Sequence, residues 1–314
     1  METHQEELLQ ELCCLYVEGE KVDALALITQ SAGITAEEKK KIPQEKMDDF
    51  ILKERADPCL HKMVEIARAF SLADRICDYN TETNSEEALL GVEKLEKIIP
   101  YAHPEDQIYI KEKQARCYRY VELTDDEQDN DKRYKLYKDV LENYPAEDRD
   151  VFLKFWAKEI NDLNVSPVAK YEALKSAQRR SSDYGKCAYK KELAPLAEIY
   201  FSYQMERAKN SDTPFSEKIK NVKQAKDAIE DIDISQNTIN SYLDNPRKLQ
   251  ELRDIKHHRY ELAALGLLKT IYKDNNNGSD AKAVSLQIGK AQNLFYHKYP
   301  WLKVQRDKAS VKYF

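Results

Sequence analysis

The sequence predicts an all-α protein, a stack of antiparallel helical hairpins with a concave groove. Three observations carry that reading. Glycine occurs only 7 times in 314 residues, so the chain has few of the left-handed turns that join strands tightly. Charged residues make up 34% of it, and mean hydropathy is -0.75, a balance that suits amphipathic helices with a solvated face. No alternating Val, Ile and Thr runs lie between Asn-Gly or Gly-Gly turns, so strand and hairpin signals are absent.

The elements follow one another with hardly a break. A first helix lies near Gln5 to Glu18 and stops at Gly19, and a second covers Lys21–Ser31 with Leu25, Leu27 and Ile28 as its apolar face. Thr35 and Glu38 stand three apart as a capping box, each side chain satisfying a backbone N–H of the other. The helix they open runs to about Glu54, and another continues after Pro58 to about Tyr79. Ser85 caps a helix that ends at Ile99-Pro100, and Pro104 takes a first helical position before Gln107–Leu123. Acidic Asp125–Asp131 reads as a solvated connection.

Helices at about Lys132–Asn143 and Glu147–Leu163 flank Pro145. Ser166 caps the next, which begins at Pro167. Asp183–Lys209, Ser216–Ile232, a long helix from Asn245-Pro246 to Lys273, and Ser279–His297 complete the series. In the long one, Leu249, Leu252, Leu262, Leu265 and Leu268 recur at three or nearly a multiple of it and predict a single buried stripe. Asn277-Gly-Ser279 fits a glycosylation sequon but reads as a loop. Lys135 to Pro145 has the look of a tetratricopeptide helix ending in Pro, although the spacing between pairs drifts too much for a regular array.

Several functional classes are disfavoured. No run reaches the roughly 18 apolar residues of a membrane span, and no leader pattern opens the chain, so the expectation is a soluble protein of the cytoplasm, with the nucleus as the other compartment. A formal charge of -6 and a pI near 5.7 argue against general nucleic-acid binding. There is no Gly-rich phosphate loop, H-E-x-x-H or G-x-S-x-G, and the chain reads as a non-enzyme without cofactor or metal. The six cysteines show no C-x-x-C spacing and read as buried reduced thiols. His257 and His258 point about 100° apart on a helix and share no metal. Trp156 and Trp301 read as helix–helix packing, and Arg179-Arg180-Ser181-Ser182 as a helix end.

The most specific stretch is Tyr242 to Asp254. Tyr242, Asp244, Gln250, Leu252, Arg253 and Asp254 stand without a gap in the run Y-K-D-x-x-x-x-x-Q-L-L-R-D-N, with Ile255 in place of the final Asn. Glu20 to Ala26 is similar to E-R-Y-D-D-M-A, Ile34 to Lys39 to L-S-N-E-E-R, Leu95 to Pro100 to L-E-K-x-L-I-P, and Tyr118-Arg-Tyr120 to Y-R-Y. Together these fragments resemble the 14-3-3 family. The resemblance implies a helical stack with a groove for phosphoserine or phosphothreonine peptides, and homodimerisation through the N-terminal helices. The fragments are scattered from the N-terminus to about Asp254, Ser279–His297 has no family counterpart, and the chain reads as one helical domain, 1–314. Within that domain, 1–100 holds the dimerisation helices, and 101–274 forms the groove with an inserted hairpin within 125–182. Residues 275–314 add a helix and a basic tail, whose Ser310, if phosphorylated, could fold back into the groove as a self-ligand.

A phosphate needs two or three cations converging from different helices, with a tyrosine hydroxyl as neutral donor. The resemblance implies Arg119 and Tyr120 from Y-R-Y. The ungapped match puts Met47 and Glu54 at the other two cation positions, and a one-residue slip gives Lys46 and Lys53, seven apart. Glu112 stands where the family has a groove lysine, and Tyr200 and Ile255 stand where it has groove asparagines. With Tyr203 and Leu252, these residues are expected to line the groove. The expected partners are phosphorylated proteins or peptides. The rival reading is a tetratricopeptide-like scaffold that holds unphosphorylated protein segments by apolar and Tyr-lined contacts.

Overall fold

The computed structural model describes residues 2–43, 46–55, 57–77, 84–122, 126–145, 149–181, 183–234 and 236–303. The architecture is all-α, and no strand occurs among the described residues. The chain divides into two compact units, Met1–Val165 and Ser166–Phe314, so the division falls inside the 125–182 stretch. No helix among the described residues is long and apolar enough to cross a membrane.

The first unit contains α1 (Glu2–Glu18), α2 (Lys21–Ser31), α3 (Ala36–Lys41), α4 (Met47–Glu54), α5 (Pro58–Cys77), α6 (Ser85–Ile98), α7 (Gln107–Tyr118), α8 (Glu127–Asn143) and α9 (Arg149–Asp162). Helix α5 is its centre and packs against α1, α2, α4, α6 and α7. Its buried face, with Met63, Val64, Ile66, Phe70, Ala73 and Ile76, recurs at three and four residues, as a helix buried on one broad stripe requires. Gly19, at φ 87°, ends α1 in the left-handed region that favours glycine.

The capping box forms as the sequence predicts: Glu38 N–H donates to Thr35 Oγ1 at 3.2 Å, and Thr35 N–H donates to Glu38 Oε2 at 2.9 Å. Its helix stops at Lys41, however, and does not run on to Glu54. Pro43 pushes Ile42 into the extended region (φ -99°, ψ 117°) and the helix restarts only at Met47. Three other starts also move. Asn84, not Ser85, caps α6 by accepting from Glu87 N–H at 2.7 Å. Pro104 lies in a turn ahead of α7, whose N-cap is Asp106. Asp126 caps α8, so the acidic stretch supplies a helix start, where negative charge meets the positive end of the dipole.

The second unit contains α10 (Pro167–Arg180), α11 (Asp183–Lys209), α12 (Phe215–Ala228), a 3-10 turn (Ile229–Asp231), α13 (Gln236–Ser241), α14 (Pro246–Asp274) and α15 (Gly278–Lys298). Neighbours pack in sequence, α10 on α11, α11 on α12, α12 on α14 and α14 on α15. Helix α11 runs through Pro195. A proline inside a helix costs about 3 kcal/mol, and here packing on both flanking helices offsets it. Ser166 precedes Pro167 without a side-chain cap bond. Asn277, read as part of a loop, instead caps α15 by accepting from Asp280 N–H at 3.3 Å.

The leucine stripe of α14 is only partly buried. Leu265 and Leu268 are in the core, whereas Leu249, Leu252 and Leu262 are half-buried. Steps of three turn by about 60° short of a full circle, so such a series leaves the packed face. The face that α14 buries includes His258, Ala264, Leu265, Leu268 and Ile271. Cys13, Cys59 and Cys117 are buried and Cys14 and Cys77 half-buried, all as free thiols, while the Cys187 side chain lies outside the described residues, as do Tyr79, Leu123 and Ser310.

Candidate protein-binding groove

The candidate phosphate residues all fall in the first unit. Helix α7 ends at Tyr118; Arg119 is its C-cap, still at helical dihedrals (φ -63°, ψ -27°), and Tyr120 stands in the turn beyond. Arg119 Nε donates to Glu159 Oε1 at 3.2 Å, which places a carboxylate of the same chain on that guanidinium. Lys46 precedes α4 and Lys53 lies in its last turn, and both are exposed. Helix α4 packs on α5, and α7 packs on α5, α6 and α8.

Glu112 does not face an open groove. It is 5% exposed and accepts from Arg116 Nε at 2.6 Å. Burial raises its carboxyl pKa despite the opposing pull of Arg116.

Sequence reasoning missed Arg133, the side chain that builds this turn. It is 1% exposed and donates Nη1 to the Val121 carbonyl at 3.0 Å and Nη2 to the Glu122 carbonyl at 2.8 Å. Asp129, one helical turn earlier, accepts from Arg133 Nε at 2.9 Å. A planar fork of five donors can serve several acceptors at once, and here it ties down the carbonyls just past the end of α7. The only local signal in the sequence is the Asp129–Arg133 spacing of four.

The other groove candidates, Tyr200, Tyr203, Leu252 and Ile255, fall in the second unit, and two of them come together. Leu252 and Ile255 of α14 line an open, largely apolar cavity of ≈ 720 Å³ with Phe201, Ile234, Tyr260 and Ala263, and Lys256 and Arg259 stand at its edge. The Phe201 and Tyr260 rings meet edge to face at 4.7 Å, joining α11 to α14 at its floor. Lys256 is held by Glu198 and by the Asp233 carbonyl. Arg259 is exposed and forms no ion pair among the described residues.

Tyr200 and Tyr203 lie elsewhere. Tyr200 is buried and stacks on Tyr171 at 4.3 Å, lining a separate cavity of ≈ 290 Å³ with Lys175 and Arg179. Tyr203 is exposed, its ring 5.8 Å from the Arg207 guanidinium, and does not line the apolar cavity. Asp231 is 3% exposed and accepts from Tyr171 Oη at 2.7 Å and Lys175 Nζ at 2.6 Å. That cluster joins residues up to sixty apart and has no local signature in the sequence.

The two histidines separate as their spacing requires. His257 Nε2 contacts the Ile232 carbonyl, and His258 stacks on Phe295 at 4.0 Å. No group of three or more potential metal ligands forms among the described residues. Trp156 is buried against Tyr137 at 5.3 Å, whereas Trp301 is 43% exposed with Lys248 5.5 Å over its ring. Protein-family models, curated proteins and solved structures give no match to the chain.

Proposed function

We propose that this protein is a non-enzymatic adaptor that holds a segment of a partner protein in the cavity between α11 and α14. The observation that carries the proposal is the convergence of Leu252 and Ile255 with Phe201 and Tyr260 on one open apolar cavity. The partner segment presents apolar side chains to that floor and an acidic residue to Arg259, which has no ion-pair partner of its own among the described residues. Contact with apolar walls supplies about 25 cal/mol per Å² of surface removed from water, and the guanidinium adds register through a charge-assisted hydrogen bond.

The phosphate-dependent reading of 14-3-3 type is the second proposal. It rests on the resemblance and on Lys46, Lys53, Arg119 and Tyr120. The Arg119–Glu159 contact at 3.2 Å weighs against it, because a phosphate would have to displace or repel that carboxylate. Homodimerisation through the N-terminal helices belongs to the same proposal. Lys21, at the start of α2, is engaged by Asp74 of its own chain at 2.6 Å.

Fluorescence anisotropy with a degenerate library of apolar–acidic peptides, and with phosphoserine versions of the same library, separates the two. The groove proposal expects saturable binding of unphosphorylated peptides that falls at least tenfold in Ile255→Asp and is unchanged in Arg119→Ala. Binding that requires phosphate and disappears in Arg119→Ala would replace it with the 14-3-3-type reading.

A further inference from the structure

Two helices present leucines to solvent, each between charges of one sign. On α15, Lys282, Leu286, Lys290 and Leu294 follow one another at intervals of four, so they form a row along one side of the helix. All four are exposed, Leu286 at 69% and Leu294 at 73%. The other side holds α15 to α14: Ala281 and Val284 are buried there, and Phe295 stacks on His258.

On α6, Glu86, Leu90 and Glu93 stand four and three apart with Leu89 beside them, again on one side of the helix. Glu86 and Glu93 are exposed, as are Leu89 at 40% and Leu90 at 46%. The side that packs on α5 and α7 carries Ala88, Gly91, Val92 and Leu95 instead.

The two rows are complementary. At a rise of about 1.5 Å per residue, Lys282 and Lys290 flank Leu286 across ~12 Å, and Glu86 and Glu93 flank the two leucines of α6 across ~10 Å. None of these four charges forms an ion pair among the described residues. Other charges close by are held elsewhere. Asp280, the only acid of α15, accepts from Asn277 Nδ2 at 2.8 Å, and Glu96 of α6 is paired with Lys132 at 2.8 Å. Lys97, one turn past Glu93, offsets part of the acidic charge.

We propose that the protein self-associates head to tail, the α15 row of one copy docking on the α6 row of the next. Laying one row on the other buries the leucines together and sets each lysine against a glutamate. Charge selects this pairing: α15 on α15 would oppose lysine to lysine, and α6 on α6 glutamate to glutamate, and like charges in contact are costly. A heterologous contact leaves a free α6 row at one end and a free α15 row at the other. Assembly therefore continues with concentration unless a ring closes. A contact confined to one helix row on each side falls below the ~1,200 Å² of a standard interface and is weak and reversible. It uses neither the cavity between α11 and α14 nor the N-terminal helices, so it stands apart from both binding proposals.

Sedimentation equilibrium of the full chain at rising concentration tests this. In low salt, the weight-average mass is expected to climb from that of one chain, 36.6 kDa, past that of two. It is expected to fall back as added salt screens the pairs. Lys290→Glu and Glu93→Lys change exposed side chains and keep the fold, and either variant alone is expected to stay near the mass of one chain. An equimolar mixture of the two variants is expected to regain association, because the altered α6 row of one then meets the altered α15 row of the other. Association that both variants retain, or that their mixture fails to restore, would overturn the proposal. A single chain at every concentration would overturn it too, and pelleting of that monomer with phosphatidylserine vesicles, lost in Lys290→Glu, would give the α15 row to an anionic lipid surface instead.

Discussion

The Arg133 guanidinium lies 5.0 Å from the ring centroid of Tyr118 and reaches past it to the carbonyls that follow the end of α7. One buried cation thereby fixes the turn that carries Arg119 and Tyr120. Removing it takes a donor from Asp129 and from the carbonyls of Tyr118, Val121 and Glu122. Breaking a buried pair of this kind by deleting one partner costs about 3–5 kcal/mol, so Arg133→Ala is expected to lose that much in urea denaturation. Arg133→Lys is expected to recover only part of it, since an ammonium cannot span the fork.

Gly91→Ala tests the close approach of α5, α6 and α7. The added methyl would meet Ile76 Cδ1 at 2.4 Å, which requires Ile76 to shift. Overpacking a tight core costs roughly 1–3 kcal/mol. A lowered urea midpoint with an unchanged slope is the expected result.

Acid sensitivity is expected at Asp74. Burial alone would raise its pKa, but hydrogen bonds from Lys113 and Lys21 outweigh that effect and hold it below the ordinary value. A carboxyl with a depressed folded pKa contributes stability that is present above its unfolded value, about 4, and is lost as pH falls through the lower folded value. The stability gap between wild type and Asp74→Asn, measured by urea titration, is therefore expected to be larger at neutral pH than at about pH 3.

His258 acts in a different window. Burial lowers its pKa and favours the neutral ring stacked on Phe295, whose plane is inclined by only 6°. Its contribution is complete above the unfolded value of about 6.5, and it declines as pH falls from there through the folded pKa, because the unfolded chain takes up the proton first. Thermal melts are expected to show this decline in wild type but not in His258→Phe, which keeps the stack.

Helix identity was legible because capping and punctuation are local. Thr35 with Glu38, Gly19 and Asn245 before Pro246 each state a boundary within four residues. Boundaries failed where one residue had two uses: Pro43 breaks a helix whose neighbours all favour one, and acidic residues 126–131 serve a helix start as well as a solvated loop. Helix α13 carries no such signal. At the site, Leu252 and Ile255 could be placed by the resemblance at Tyr242–Asp254. The positions of Arg133 and of Asp231 with Tyr171 depend on how distant helices register, which no short spacing records.

The most direct measurement of the binding account is hydrogen–deuterium exchange of the full chain with and without a selected unphosphorylated peptide. Slower exchange on ligand addition is expected along α14 at residues 252–263 and in α11 around Phe201, the two walls of the apolar cavity. Protection confined to the turn at Arg119–Tyr120 and to α4 around Lys46–Lys53 would contradict the account and place the binding site in the first unit.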